Sequence, residues 1–269
     1  MPEMPEVETL VRSLRSRLVG RRIRRVDVYD EKLDALDPQP LRGRTIHAAF
    51  RSGKEIVLDL STPRRPLWLC VHLRMTGKLL YTDGAVALPE KHLRASFYLD
   101  AGELRFYDSR RFGRIRLAHT QADFAPPGVE ILSDEFTWQR VQELIGNSRS
   151  PIKVWLLRQD RIVGFGNIYA AEVCFAARLD PRRPAASLSV SEIKALHRVT
   201  RRIFTDAIAC GGTTISDFMD CEGRCGEYRH RLNVYGREGE RCRRRGCVGE
   251  IKRIAQAGRS TFFCPTCQR

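Results

Sequence analysis

Over the first twenty residues, apolar side chains recur at helical spacing. Val7, Leu10, Val11, Leu14 and Leu18 fall at i, i+3, i+4, i+7 and i+11, while Arg12, Arg15 and Arg17 lie off that stripe. The pattern predicts a helix opening at Pro5, with Glu6 and Glu8 where the dipole favours anions and Gly20 as its stop. From Arg21 to about His119 the period shortens to two. Alternating runs at 23–28, 55–60, 67–73, 95–99, 104–107 and 114–117, separated by turn residues such as Asp83-Gly84, predict six or more short strands. Pro126-Pro127-Gly128 breaks this texture. Helical patterns follow at 133–145, 151–159, 166–178 and 189–209, and Gly211-Gly212-Thr213-Thr214 closes them. The tail from Asp217 is rich in Gly, Arg and Cys, with short strands. No internal repeat or low-complexity linker interrupts this order. The expected class is α+β in three parts: a helix-led β-sandwich over 1–128, a helical domain over 129–222, and a cysteine-rich module over 223–269.

Composition narrows the function. The chain has 269 residues and is 42% hydrophobic, enough for two packed cores and incompatible with a disordered chain. Lys and Arg number 47 against 32 Asp and Glu, a net +15 that calls for a polyanionic partner, nucleic acid first. A membrane surface is the weaker partner, because no 18-residue apolar run and no secretory leader are present. The expectation is a soluble cytoplasmic protein. Of nine cysteines, Cys70, Cys174 and Cys210 stand alone in apolar surroundings and read as buried hydrophobes. The other six crowd the last fifty residues, where metal is a better reading than disulfides for an intracellular chain.

Cys242 and Cys247, then Cys264 and Cys267, form a C-x4-C and C-x2-C array with 16 residues between the pairs. Four thiolates at that spacing can close one tetrahedral zinc site on the knuckles of a β-hairpin, here with strands at 251–254 and 260–263. Cys221 and Cys225 have no second pair and read as reduced thiols in a mobile loop. At the other end, Met1-Pro2-Glu3 offers a secondary amine at Pro2 once Met1 is removed. Such an amine can attack a carbon and form an iminium, with Glu3 as proton carrier. A helix N-terminus just behind it disfavours a positive charge, against a reference α-amino pKa of roughly 7.7–8.0. The alternative is a disordered tip.

Three interior stretches suit DNA. Gly164-Phe165-Gly166-Asn167 enters a helix whose open N–H groups can hold a phosphate, with Lys153 in reach; an ordinary helix corner capped by Asn167 is the alternative. Asp108-Ser109-Arg110-Arg111-Phe112-Gly113 carries side chains able to fill and wedge an opened duplex, unless Phe112 is simply core. Met75, in His72-Leu73-Arg74-Met75-Thr76-Gly77, is a second filler. Lys54 can hold a phosphate or move a proton.

Together these pieces resemble the formamidopyrimidine-DNA glycosylases, the MutM or Fpg branch of the Fpg/Nei family. The carriers are MPEMPEVE at the start, HLRMTG at 72–77, EKH at 90–92, DSRRFG at 108–113, GFGNIYAAE at 164–172, GGTT at 211–214, LNVYGREGE at 232–240 and the terminal GRSTFFCPTCQ. The resemblance implies a β-sandwich led by a helix, a helix-two-turn-helix domain and a zinc β-hairpin holding one structural Zn2+. It implies Pro2 as nucleophile at C1′ and Glu3 as proton donor, with Lys54 serving β-elimination and Arg259 serving δ-elimination. Met75, Arg110 and Phe112 are implied to enter the duplex. His92, Lys153, Asn167, Arg111 and Glu6 join the expected DNA contacts. The implied partner is damaged double-stranded DNA, met by a monomer. Three departures stand out: the longer first knuckle, two cysteines in the 215–225 loop that in relatives closes over the extruded base, and Ser216 where some relatives have lysine. The competing expectations are the oxidised-pyrimidine branch of the same family and a non-catalytic zinc protein that binds nucleic acid.

Overall fold

The computed structural model describes residues 2–33, 36–84, 88–215 and 218–269. Met1 and Ser216, both weighed above, lie outside the described residues. The chain divides into two compact units, Met1–Ala125 with Ile208–Arg229, and Pro126–Ala207 with His230–Arg269.

The first unit opens with helix α1 (Met4–Leu18), one residue earlier than the stripe suggested. Glu3 is the N-cap and forms a reciprocal capping box with Glu6, which moves Pro5 to the second helical position. Val19 ends the helix, and Gly20 supplies the left-handed φ of 87° that turns the chain. The strands are β1 (Ile23–Val28), β2 (Ala48–Ser52), β3 (Glu55–Asp59), β4 (Trp68–His72), β5 (Gly77–Thr82), β6 (Leu93–Leu99), β7 (Glu103–Asp108) and β8 (Arg114–Ala118). They form two four-stranded sheets in the orders β1-β6-β7-β5 and β2-β3-β4-β8, all neighbours antiparallel. This is the expected sandwich, with β2 and β5 added.

Its core joins Leu10, Leu14 and Leu18 of α1 to Ile56, Leu58, Leu69 and Val71 of one sheet and Leu79, Phe97, Leu104 and Phe106 of the other. Each such side chain contributes about 1.5–3 kcal/mol by leaving water. Val57, Cys70 and Ala118 point to the opposite face, where Phe50, Trp68 and Phe124 cover them. Burial on both faces explains the unbroken apolar runs at 56–58 and 69–71.

The second unit holds β9 (Val129–Glu130), α2 (Trp138–Ile145), α3 (Ile152–Leu156), β10 (Ile162–Val163), α4 (Asn167–Ala176) and most of α5 (Val190–Ala209). It ends in the hairpin of β11 (Lys252–Gln256) and β12 (Arg259–Phe263). Helix α2 starts later than 133 because the Thr137 hydroxyl caps Arg140 N–H at 3.1 Å. Helix α3 is shorter than 151–159, as Arg158–Arg161 turns into β10, which pairs parallel with β9. Every residue of α4 from Ile168 to Phe175 is buried, so it is the central helix of this unit.

Candidate active site and nucleic-acid interface

In the first unit, Pro2 is buried at the foot of α1 and Glu3 beside it is 2% exposed. Glu6 fixes this end of the chain. One carboxylate oxygen accepts Glu3 N–H at 2.7 Å, and the other accepts Thr213 N–H at 2.7 Å. Gly212, with φ 80°, lies so close that a Cβ there would meet Glu6 Cγ at 3.1 Å. Two motifs 207 residues apart in sequence therefore meet on one side chain. Glu6, expected among the DNA contacts, is 1% exposed, and its carboxylate holds two backbone donors.

Lys54 lies in the tight turn between β2 and β3, which Gly53 makes possible with φ 57°. Arg51 braces that turn through Gly53 O at 2.8 Å and Glu8 at 3.1 Å. Burial pushes Glu8 up, but bonds from Arg12 and Arg51 outweigh it and leave the carboxyl below its ordinary range. Close by stands His72, quoted above only inside a motif. Burial first, then the charges of Arg74, Lys54 and Arg114, push it down from 6.5 to about 4, so it is neutral at pH 7. Its Nδ1 accepts Arg74 N–H at 3.0 Å, which leaves the proton on Nε2 as a donor within a basic ring. The only sequence signal for it was a histidine at a strand end among basic residues.

Met75 and Phe112 are 40% and 48% exposed, among the few large apolar side chains left in solvent. Phe112 is thus not core, and Arg110 stacks its guanidinium over that ring at 4.7 Å. Arg111, between them, is committed elsewhere. It binds Asp30 through two nitrogens at 2.5–3.0 Å and reaches Glu31 at 3.2 Å, an internal ion pair at a residue expected to meet DNA. Asp30 is held below the usual carboxylate range by Arg111 first, against burial. His92 ends the short 3-10 turn Glu90–His92, half-buried, and shares a pocket with Thr76, Lys78 and Tyr107.

The 215–225 loop is not free over its described length. Phe218 and Cys221 enter the core of the first unit, Cys221 O accepts Tyr81 N–H at 2.9 Å, and Arg17 pairs with Glu222. The reading of Cys221 as part of a mobile loop is corrected accordingly, whereas Cys225 is exposed. Cys70 and Cys174 are buried as expected, their thiols pushed up to about 11 and about 12 by desolvation; Cys210 is only half-buried.

In the second unit Gly166, not Asn167, is the N-cap of α4. The Asn167 amide faces the hairpin instead, giving its N–H to Ser260 O at 2.9 Å. Lys153 is wholly buried, bonded to Asn167 Oδ1 and, at 3.3 Å, to Ser260 O. These bonds make Lys153 a tether between α3 and the hairpin. Arg259, next to Ser260, is exposed at the start of β12.

The four sulfurs of Cys242, Cys247, Cys264 and Cys267 lie within 4.8 Å of one another, the one such group among the described residues. Tetrahedral zinc with bonds near 2.3 Å needs sulfur–sulfur edges of about 3.8 Å. Cys242 to Cys267 measures 3.8 Å and Cys247 to Cys264 measures 3.7 Å, so the longer knuckle fits one ion. Arg244 and Gly249 direct backbone N–H groups at Cys242 and Cys247 sulfurs, both at 3.4 Å, as charged thiolates require. Glu172 of α4, 2% exposed, seats the module by accepting N–H from Asn233, Val234 and Tyr235 at 2.9–3.0 Å.

Comparison with known proteins matches all three parts of the chain. Residues 1–115 match the formamidopyrimidine-DNA glycosylase N-terminal domain, 128–219 its H2TH domain, and 239–269 the zinc finger found in FPG and IleRS. A formamidopyrimidine-DNA glycosylase of Ruegeria sp. (strain TM1040) is 38% identical, with both chains covered in full. A Lactococcus lactis Fpg variant bound to Fapy-dG DNA superposes with a TM-score of 0.89 at 33% identity, and both chains are covered in full. The Lactococcus lactis Fpg complex with abasic-site DNA gives 0.88 at 33% identity, again over both full chains.

Proposed function

The chain belongs to the formamidopyrimidine-DNA glycosylase family and is a DNA-repair glycosylase; from that premise we propose that it removes oxidised purines and then cleaves the backbone itself. The substrates are 8-oxoguanine and formamidopyrimidines in duplex DNA, met in the cytoplasm by a monomer. The observation that carries the reading is the buried Pro2 at the foot of α1, held in place by the Glu3–Glu6–Thr213 bonds.

With Met1 gone, the Pro2 nitrogen attacks C1′ of the extruded nucleotide. The bond to the base breaks, and the base leaves with a proton. Glu3, at the same helix foot, supplies the proton that opens the sugar ring, which leaves an iminium joining Pro2 to C1′. Removal of a C2′ proton expels the 3′ phosphate, with Lys54 beside the neutral His72 in the basic ring that holds the phosphate. A second elimination, assisted by Arg259, expels the 5′ phosphate and leaves a one-nucleotide gap. Zinc is structural: four protein thiolates leave no position for water, so it shapes the hairpin that carries Arg259.

Borohydride reduces the iminium to a stable amine and so tests the reading. Abasic-site DNA should become covalently attached, and Pro2→Gly should abolish the adduct. Protein of verified Pro2 terminus that gives no adduct would favour the non-catalytic alternative. Excision of 8-oxoguanine opposite cytosine should exceed that of thymine glycol; the reverse order would move the chain to the pyrimidine branch.

A further inference from the structure

One carboxylate lies behind both exposed tips. Asp108, the last residue of β7, is fully buried. Its Oδ2 accepts Phe112 N–H at 2.8 Å and Gly113 N–H at 2.7 Å. Its Oδ1 accepts Arg110 N–H at 3.2 Å and the Thr76 hydroxyl at 2.5 Å. Thr76 adjoins Met75, and its Oγ1 lies 3.3 Å from the same Arg110 N–H. Strand pairing sets Asp108 opposite Gly77, so the two loops leave the sheet side by side. Gly113 permits the approach, since a Cβ there would meet Phe106 Cζ at 2.5 Å and Asp108 Oδ2 at 3.0 Å. Arg111, in the left-handed region at φ 57°, is pinned by Asp30, so the turn is held at its middle as well.

Met75 stands on one loop, Arg110 and Phe112 on the other. We propose that Asp108, acting with Thr76, is a positioning residue that fixes these three side chains in one register for entry into duplex DNA. This rests on the proposed function. Its physical content is that both carboxylate oxygens are required. Two backbone donors converge on one oxygen; a hydroxyl and a backbone donor converge on the other. Asparagine has the same size but turns one of these acceptors into a donor, so two N–H groups or the Thr76 hydroxyl must face an NH2. Wedge residues placed an ångström out of register should slow extrusion more than they weaken initial binding.

The test uses the full-length chain with 2-aminopurine beside an abasic site, whose fluorescence rises when a side chain unstacks it. Wild type should give the rise, and Asp108→Asn and Thr76→Val should lose most of it. Excision from duplex should fall roughly ten- to a hundred-fold, chiefly in kcat, the scale expected for unmet buried donors. Thr76→Ser should restore both readings. Borohydride trapping on a single-stranded abasic oligonucleotide, where nothing has to be unstacked, should match wild type and shows that the variants fold. A fluorescence rise in Asp108→Asn equal to wild type would overturn the proposal. So would equal losses on single- and double-stranded DNA, which mark a structural role only. Wild type that traps no abasic DNA would overturn the functional reading itself, a separate outcome.

Discussion

A neutral histidine in a basic ring ties stability to pH. His72 titrates at about 4 in the fold against 6.5 when free, so the unfolded chain binds its proton first as pH falls. The stability it contributes is complete above pH 6.5 and is lost as pH drops toward 4. Melting temperature followed from pH 7 to pH 4 should therefore decline, and His72→Gln should flatten that slope; an unchanged slope would reject the assignment. Glu6 makes a second prediction. Glutamine keeps one acceptor where two buried N–H groups need two, so Glu6→Gln should cost about 1–3 kcal/mol in chemical denaturation. Neither effect was legible in the sequence. The partners of Glu6 lie 3 and 207 residues away, and those of Arg111 lie 81 and 80 away, so no local pattern records them. The zinc ligands were legible because their spacing is the chemistry.

Elements were legible where amphipathic contrast is strong. Helix α1 stands out because Leu10, Leu14 and Leu18 face a core while arginines face water. Strand β2 escaped notice because Ala48-Ala49 gives little contrast. Strand β5 escaped because Leu79 and Leu80 are both buried, which breaks the alternation. The hairpin of β11 and β12 carries the clearest prediction at this scale. Its two-residue turn is Ala257-Gly258, with φ of 46° and 72°, the mirror-image geometry that favours Asn-Gly. Ala257→Asn should raise hairpin stability by about 0.5–1 kcal/mol, measurable as slower amide exchange across the strands, because asparagine tolerates the left-handed region better than alanine. Removing zinc should do the reverse. Chelation should abolish protection in 252–263 and lower DNA affinity; a zinc-free form of full activity would separate Arg259 from the reaction.

For the whole molecule the governing quantity is charge. A net +15 predicts binding driven by release of counterions from DNA. About five phosphate contacts give a log–log slope of affinity against salt of roughly −4 to −5. A flat response in a titration from 50 to 200 mM salt, roughly the range over which such contacts are lost, would remove DNA as the partner. No helix among the described residues is long and apolar enough to cross a membrane.

The split of the first unit has a consequence for synthesis. Residues 208–229 complete it, yet they leave the ribosome after 126–207. Until then Glu6 lacks Thr213, and the core lacks Phe218 and Cys221. Contacts of such long range form late. A nascent chain halted anywhere before Thr213 would therefore carry Pro2 without the frame that seats it. Incomplete translation products of a DNA-cutting enzyme would on this account be harmless, a built-in delay that arrested-chain trapping assays can time.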